Sequence, residues 1–297
     1  MSPADAKKIA ITGATGFIGR ALVAELRGHD VLALTRDPAR APAGTTAVRA
    51  DLETPGPWQD ALDGVDAIVH LAGEPIADKR WDARRKQLLR DSRIETARTI
   101  VEAIARATHK PRVLVSASGV DYYAYASGML EDDEVTERDP PGESFLARLC
   151  RDWEAEARGA EAYGVRVACM RTGIVLGPGG GALAKMRGPI ARLGNGLQWM
   201  SWIALADVVR AYATALVDAR YTGPFNLVTD SIRNIEFAAA LGKPRWLGAP
   251  GFALRLALGE LAEPLLNGRR VVPARLRELG FTWQYPKLVD ALAVALS

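Results

Sequence analysis

Short apolar runs rich in β-branched residues alternate with longer amphipathic stretches over the first two thirds of the chain. The clearest amphipathic stretches are Trp81–Ala107 and Leu146–Tyr163, in which apolar residues recur at helical spacing opposite a charged face. This alternation is typical of an α/β fold, a doubly wound parallel sheet covered by helices on both faces. The predicted strands are Ile9–Thr12, Val31–Thr35, Ala47–Ala50, Ala67–Leu71, Val113–Ser116, Val165–Arg171 and Pro224–Val228.

The first predicted strand runs into the glycine-rich loop TGATGFIG, and an amphipathic helix follows directly. Gly13 permits a tight turn, Gly16 lets the main chain approach a pyrophosphate, and Gly19 lets the helix pack closely on the strand. Phosphates then lie at the helix N-terminus, where free N–H groups and the helix dipole favour negative charge. A glycine-rich turn without a ligand is the less favoured alternative. The residues of this loop predicted to bind a dinucleotide are Gly13, Thr15, Gly16, Phe17, Ile18 and Gly19.

The end of the second predicted strand selects the nucleotide. An NAD site usually has an acid there for the ribose 2′-hydroxyl, whereas this chain has Arg36, whose guanidinium suits a 2′-phosphate. NADP(H) is therefore favoured over NAD(H), although Asp37 reverses the inference if the strand runs longer, and Arg36 as a solvated loop cation is the alternative. Asp51, followed by Leu52 after the third strand, is predicted to accept from the adenine amino group or to cap the turn before Pro55.

The composition changes after Arg171, where glycine-rich loops give way to a tail rich in turn residues and aromatics. The segment 204–219 has apolar residues at helical spacing and is predicted to return the chain to the main sheet. We therefore predict a Rossmann-type domain of residues 1–175 with 203–230. Residues 176–202 with 231–297 form a small C-terminal lobe on the substrate side.

Composition narrows the classes of partner. A net charge of +3 from 38 basic and 35 acidic residues, without a long basic run, predicts no nucleic-acid partner. The longest uncharged stretch, Leu193–Ala206, is too short and too polar to span a bilayer, so no membrane partner is predicted. Cys150 and Cys169 have no metal-ligand spacing and no HExxH motif occurs, so no metal site is predicted. The start of the chain lacks an apolar signal core, which predicts a cytoplasmic protein.

The motifs together resemble those of extended short-chain dehydrogenases/reductases. The resemblance rests on the glycine loop, the Asp51-Leu52 pair, the strand ending in HLAG and the strand RVLVSASGVDYY. It implies that the HLAG segment, His70–Gly73, lines the cofactor beside the nicotinamide ribose, and that Ser118 corresponds to the family's catalytic serine. The further residues that it assigns to the cofactor are Leu71, Ala72, Gly73 and Ser116.

Later segments resemble one atypical branch of that superfamily, described as an epimerase family or as sugar-nucleotide epimerase-like with a C-terminal domain of unknown function. They are RTGIVLGPGGGAL, Trp202-Ile203 before Asp207, Pro224–Asn226 and GRRVVPARLRELGFTW. The resemblance covers nearly the whole chain and implies a Rossmann-type fold with a small C-terminal lobe. It implies no known substrate. By analogy with the superfamily, a homodimer through the two long helices is predicted.

The superfamily's Tyr-x-x-x-Lys pair is missing. Glu154 matches the glutamate that follows the lysine by four residues, so the pair corresponds to Leu146 and Cys150, neither of which can do its work. Unperturbed tyrosine ionises near pH 10, so a replacement proton donor needs an activating partner. Ser118 and Tyr122 are the predicted catalytic pair, and Tyr123 and Tyr125, which also follow Ser118 closely, are further candidates for the proton donor. The alternatives are that Tyr122 and Tyr123 pack at the strand end and that Ser118 hydrogen-bonds within the sheet. Arg171 either faces an anionic substrate or pairs with an acid.

These observations predict an NADP(H)-dependent oxidoreductase or epimerase-like protein acting on a small polar molecule, a nucleotide-sugar-like compound being one candidate. The retained serine and HLAG strand favour an enzyme. The alternative is a redox sensor or regulatory protein that binds NADP(H) without turnover, which the loss of both tyrosine and lysine favours.

Overall fold

The structure is a computed structural model in which residues 7–125, 132–186, 192–244 and 247–297 are described. The helices are α1 (Phe17–Glu25), α2 (Ala83–Arg106), α3 (Phe145–Arg158), α4 (Gly181–Lys185), α5 (Leu205–Val217), α6 (Asn234–Ala240), α7 (Gly251–Leu258), α8 (Ala262–Leu266), α9 (Ala274–Glu278) and α10 (Leu288–Leu296). The strands are β1 (Lys8–Thr12), β2 (Asp30–Thr35), β3 (Thr46–Arg49), β4 (Ala67–His70), β5 (Val113–Gly119), β6 (Glu134–Val135), β7 (Arg166–Thr172), β8 (Ile174–Leu176), β9 (Arg192–Leu193), β10 (Trp199–Ala204), β11 (Gly223–Leu227), β12 (Asp230–Arg233), β13 (Gly248–Ala249) and β14 (Arg270–Val271).

Seven strands form one parallel sheet in the order β3-β2-β1-β4-β5-β7-β11. They are the seven strands that the sequence predicts, with ends that differ by at most three residues. The chain moves outward from β1 to β3 and then crosses to β4 on the other side of β1. Ligands of such sheets bind at the carboxyl ends of the strands, where this reversal leaves a crevice. The predicted Rossmann-type α/β fold is confirmed.

The sheet is buried on both faces, which explains why its strands are continuously apolar. On β1, Ile9 and Ile11 belong to one core with Leu22 of α1 and Tyr212 of α5. Ala10 points to the opposite face, where a second core contains residues of α2 such as Ile100. Successive side chains of a strand alternate between faces, so the short run KIAIT supplies both cores.

The two long helices begin at side-chain caps. The carboxylate of Asp82 accepts from the Arg85 N–H at 2.6 Å, so α2 starts two residues after the predicted Trp81. The hydroxyl of Ser144 accepts from the Ala147 N–H at the start of α3. The α-helix α3 ends at Arg158 and continues as a 3₁₀ turn to Tyr163, so the predicted helix is five residues too long.

The described residues form three further small sheets, in the orders β12-β10-β8, β13-β9 and β14-β6, and all of their strands except β6 follow β7 in the chain. Sequence reading missed most of these strands because they are two to six residues long and show no sustained alternation. Asp207, fully buried on α5, accepts from the main-chain N–H groups of Gln284 and Tyr285 and so fixes the C-terminal segment to that helix. The division at residues 175, 203 and 230 stays a proposal, and its residues 1–6, 126–131, 187–191 and 245–246 lie outside the described residues.

Candidate cofactor and substrate site

The glycine loop between β1 and α1 is packed too tightly for side chains. Gly13 has a φ of 69°, and a Cβ there would lie 2.8 Å from the carbonyl carbon of Leu71. A Cβ on Gly19 would lie 2.2 Å from the Gly13 carbonyl oxygen, which explains the close contact of helix and loop. Gly16 caps α1 without a side-chain bond, and the first turn contains no acid. The positive end of the helix dipole therefore faces the loop without a carboxylate to oppose an anion.

A cavity of about 220 Å³, the glycine-loop cavity, lies over this loop at the carboxyl edge of the sheet. Nine of the predicted cofactor residues line it: Gly13, Thr15, Gly16, Arg36, Asp51, Leu52, Leu71, Ala72 and Gly73. Ile18 and Gly19 do not line it, and Phe17 packs against the glycines at 177, 180 and 181. Ser116 is 1% exposed within β5, and its hydroxyl donates to the Ala117 carbonyl. Nine of the thirteen predicted residues therefore line one cavity, and the other four lie behind or beside it.

The outer rim of the glycine-loop cavity carries one cation and three acids among the described lining residues. Arg36 is 77% exposed in its side chain, and its Nη2 lies 3.8 Å from the Glu74 carboxylate, which also pairs with Arg85. Burial and the nearby charge of Asp51 raise the pKa of Glu53. Asp51 also accepts from the Glu53 N–H at 3.4 Å, so it caps its turn while lining the cavity. Arg36 is the lining residue that can attract an anion here.

A buried imidazole supports the cavity from below. The Thr12 hydroxyl accepts from the N–H groups of Leu71 and Ala72, so its single proton is directed to Nδ1 of His70 at 2.8 Å. Nε2 of His70 lies 3.2 Å from the Thr96 hydroxyl. Burial lowers the pKa of His70 to about 3, so the ring is neutral. The resemblance placed His70 beside the nicotinamide ribose, but the ring is 1% exposed and positions the loop that follows it.

A buried polar cluster, the Arg171 network, consists of Ser118, Tyr123, Glu154, Arg171 and Asn226. Nε and Nη2 of Arg171 donate to both carboxylate oxygens of Glu154 at 2.8 Å, and Nη1 donates to the Tyr123 hydroxyl at 2.9 Å. That hydroxyl donates to the Asn226 side chain at 2.7 Å. Of the two alternatives for Arg171, the structure has the one in which it pairs with an acid.

The predicted catalytic pair lies at this network. The Ser118 hydroxyl donates to Glu154 at 2.7 Å, and Ser118 is 6% exposed. The Tyr122 ring stacks on the guanidinium of Arg171, whose carbon Cζ lies 3.4 Å from the centre of the ring. In this arrangement the serine proton is directed into the protein. Neither Ser118 nor Tyr122 lines the glycine-loop cavity or the larger cavity near the ends of β5 and β7.

The positions of the missing pair are buried side chains of α3. Leu146 is 3% exposed in an apolar cluster with Leu89 and Leu149. Cys150 is 7% exposed, and burial raises the pKa of its thiol to about 12, so it is not a thiolate at neutral pH. Leu146 has no proton to transfer, and the protonated thiol of Cys150 cannot replace a lysine cation.

A second cavity, about 330 Å³ in volume, lies at the same edge of the sheet and is called the apolar cavity. It extends from the ends of β5 and β7 to the segment 264–271. Its walls are mostly apolar side chains, such as Ile174, Met200 and Leu265. Asp121 and Tyr125 form its polar corner. Sequence reading did not find this cavity, because its walls come from five separated parts of the chain.

The described residues contain neither a helix suited to cross a membrane nor a cluster of metal-ligating side chains. None of the helices in the described ranges combines the length and apolar character that a membrane crossing needs. The same ranges contain no group of three or more His, Cys, Asp or Glu placed to hold a metal ion.

The parallel sheet, its strand order and the glycine loop define a Rossmann-type dinucleotide-binding fold. The model of the NAD dependent epimerase/dehydratase family matches residues 9–227, and that of a domain of unknown function, DUF1731, matches residues 249–295. The chain belongs to the NAD dependent epimerase/dehydratase family, in its epimerase branch with this C-terminal domain.

Relatives match over nearly the whole chain. Epimerase family protein Mb2239 of Mycobacterium bovis is 42% identical over 300 residues, 97% of each chain. The crystal structure of human epimerase family protein SDR39U1 (isoform 2) with NADPH is 32% identical, with a TM-score of 0.85 over 98% of this chain and 99% of that one. A nucleoside-diphosphate sugar epimerase from Corynebacterium glutamicum is 33% identical, with a TM-score of 0.78 over 98% of this chain and 58% of that one. The predicted membership of an atypical short-chain dehydrogenase/reductase branch is confirmed.

Proposed function

We propose that this protein binds NADP(H) in the glycine-loop cavity, with the pyrophosphate at the N-terminus of α1 and the 2′-phosphate at Arg36. The absence of a side-chain cap or acid at that helix start leaves its dipole available to phosphates. Arg36 is the observation that carries the NADP(H) preference, since it stands where an NAD site usually has an acid. The human relative with NADPH supports the same cofactor.

Replacement of one arginine tests this proposal. Arg36→Ala should weaken NADPH binding by about 10- to 100-fold, since hydrogen bonds to charged groups contribute about 1.5–3 kcal/mol. NADH binding should change by less than about threefold, because NADH has no 2′-phosphate. Fluorescence titration of both cofactors measures the two constants. Arg40→Ala is the matched control, a nearby exposed arginine away from the cavity. Equal losses for NADPH and NADH would contradict the NADP(H) preference.

The proposed activity is that of an oxidoreductase or epimerase-like enzyme on a small polar molecule. Bound NADP(H) supplies or accepts a hydride at the nicotinamide ring. The protein would position the substrate oxygen and move a proton to or from it, a role that the sequence assigns to Ser118 and Tyr122. Ser118 would have to release Glu154 before it could reach a substrate. A nucleotide-sugar-like compound is one candidate substrate, and it is supported by the Corynebacterium relative, which is a nucleoside-diphosphate sugar epimerase.

A second function, an NADP(H)-binding redox sensor, is favoured by the burial of Leu146 and Cys150 in place of the tyrosine and lysine. The two functions differ in turnover. We expect an enzyme to oxidise NADPH with some member of a panel of carbonyl compounds, under conditions in which NADPH alone is stable. Binding of NADPH without oxidation across apolar ketones, aldehydes and sugar nucleotides favours the sensor.

Three further properties belong to the same proposal. Residues 176–202 with 231–297 would act as a substrate-side lobe on the Rossmann-type domain of residues 1–175 with 203–230. The protein would act in the cytoplasm.

The exposed faces of α2 and α3 would pair two subunits as a homodimer. Light scattering in solution tests the dimer, since a monomer mass at micromolar concentration contradicts it.

A further inference from the structure

The apolar cavity is poorly suited to a nucleotide sugar. Such a ligand carries two phosphates, which proteins bind with several cations or helix N-termini. Among the described lining residues the cations are limited to Arg269, and an acid, Asp121, faces the same space. The remaining walls are largely aliphatic, aromatic or thioether side chains, including Met186, Trp199 and Pro264. Walls of this kind bind apolar bodies, with the few polar groups fixing orientation.

Asp121 lies where the missing pair would be expected to act. It follows β5 by two residues, and its Oδ2 lies 3.8 Å from the position of a Cβ on Gly119. The thiol of Cys150, at the position of the absent lysine, lies 3.5 Å from that same point. The carboxyl of Asp121 therefore occupies the space between the strand end and the helix that normally carries the proton donor. The Tyr125 hydroxyl donates to its Oδ1 at 3.1 Å.

We propose that the apolar cavity binds a carbonyl compound with a mainly apolar body, and that Asp121, held by Tyr125, gives the proton to its carbonyl oxygen. The inference rests on the proposed NADP(H)-dependent function and changes its substrate class from polar to apolar. Glu154, Arg171 and Ser118 then keep a structural role.

The reduction balances in this arrangement. The carbonyl carbon accepts a hydride from reduced nicotinamide, the C=O π electrons move to oxygen, and that oxygen takes the proton of the Asp121 carboxyl. The products are an alcohol, the oxidised nicotinamide and the Asp121 carboxylate, which recovers a proton from solvent. Oxidation of the alcohol follows the same steps in reverse, with Asp121 as the base.

The surroundings of Asp121 favour its protonated form. Burial raises the pKa of Asp121, and the negative charge of Glu263 raises it further, while the hydrogen bond from Tyr125 lowers it. The titratable groups around it among the described residues are Tyr123 and Tyr125 in the same segment, Cys150 on α3, Glu263 on α8 and Arg269 across the cavity. A carboxyl with a raised pKa is suited to proton transfer near neutral pH.

The substrate class is tested by binding, with the protein saturated with NADP⁺. Calorimetric titration compares 2-acetonaphthone, an apolar ketone, with UDP-glucose. We expect 2-acetonaphthone to bind at least tenfold more tightly, and Leu265→Asn, a substitution of similar size, to weaken that binding. Equal or tighter binding of UDP-glucose, or no effect of Leu265→Asn, overturns the substrate class. Failure of NADP⁺ and NADPH to bind removes the proposed function as well, so the two failures are distinguishable.

The role of Asp121 is tested by a titration and by kinetics. Carbon-13 NMR of aspartate-labelled protein, with Asp121→Asn to assign the signal, should give a pKa above the ordinary 3.9. Glu263→Gln should lower that pKa and Tyr125→Phe should raise it. Asp121→Asn should reduce kcat for NADPH-dependent reduction of 2-acetonaphthone about 10²- to 10⁴-fold, with KM and NADPH affinity nearly unchanged. Asp133→Asn, on an exposed loop, is the matched control and should leave kcat unchanged.

Three outcomes would overturn the proposed role of Asp121 as the proton donor. An Asp121 signal that titrates like that of an exposed aspartate overturns the assignment of the proton. So does a folded, NADPH-binding Asp121→Asn variant that keeps kcat within threefold of the parent protein. Wild-type protein that binds 2-acetonaphthone and NADPH but produces no alcohol also overturns it.

Discussion

The glycine loop and the Arg171 network lie at the same edge of the sheet, yet they are built differently. The loop places its atoms through the backbone of consecutive residues, from Gly13 to Gly19. The network joins side chains that are 17 to 103 positions apart in the chain, such as Tyr123 and Asn226. The glycine-loop cavity is therefore encoded largely in a short stretch of chain, whereas the polar interior beside it exists only when the whole sheet has formed.

The largest effect is expected when a charge of the Arg171 network is removed. Glu154→Gln leaves the buried guanidinium of Arg171 without its carboxylate, and breaking a buried pair costs about 3–5 kcal/mol. Urea unfolding measures the loss. Glu156→Gln is the matched control on the same helix, since its partner Arg98 is 44% exposed and the expected loss is below about 1 kcal/mol. Equal losses for the two variants would contradict a structural role for the network.

A second substitution concerns the loop itself. Gly19→Ala places a Cβ 2.2 Å from the Gly13 carbonyl oxygen, so loop or helix must shift. Overpacking of this kind costs about 1–3 kcal/mol, and NADPH binding should weaken in the same variant. Gly16→Ala is the matched control, because its Cβ would lie 3.2 Å from the same oxygen. It should destabilise less. A Gly19→Ala protein with unchanged unfolding and NADPH titrations contradicts the packing argument.

The buried imidazole below the loop predicts a dependence of stability on pH. The pKa of His70 is about 3 in the folded protein and about 6.5 when unfolded, so the unfolded chain binds the extra proton between these values. The contribution of His70 is complete above pH 6.5 and is lost as the pH falls, by about 1.4 kcal/mol for each unit. Unfolding at pH 7 and pH 5.5 should show this slope in the parent protein and a smaller one in His70→Asn. His109→Asn, at an 81% exposed side chain, should keep the full slope.

The smallest effect is expected at Ser118. Ser118→Ala removes one hydrogen bond to Glu154, which keeps both bonds to Arg171, so the loss should be about 1 kcal/mol. Turnover, once a substrate is found, sharpens the comparison. If Asp121 gives the proton, Ser118→Ala changes kcat by less than about tenfold. A fall of more than 10²-fold restores Ser118 as the catalytic serine that the resemblance implied.

Much of this protein is determined by sequence alone. Strand period and helix spacing predicted the seven strands, and the glycine pattern predicted Gly13, Thr15 and Gly16 at the cavity, because those features depend on backbone conformation over short stretches. Leu71–Gly73 were implied by the family resemblance and not by a local pattern. The position of Arg36 at the cavity rim also follows from its place after β2, since the ends of parallel strands meet at one edge.

Only the tertiary structure decided which side chains meet. Ser118 and Arg171 looked like candidates for chemistry, and the fold joins both to Glu154 in the interior. Asp121 gave no signal in the sequence, and the fold places it with Tyr125 on the wall of the apolar cavity. A local pattern fixes where a backbone turns, but a buried side chain takes its partner from whichever distant element packs against it. Burial, which sets the pKa and the cost of leaving a group unpaired, is a property of that packing.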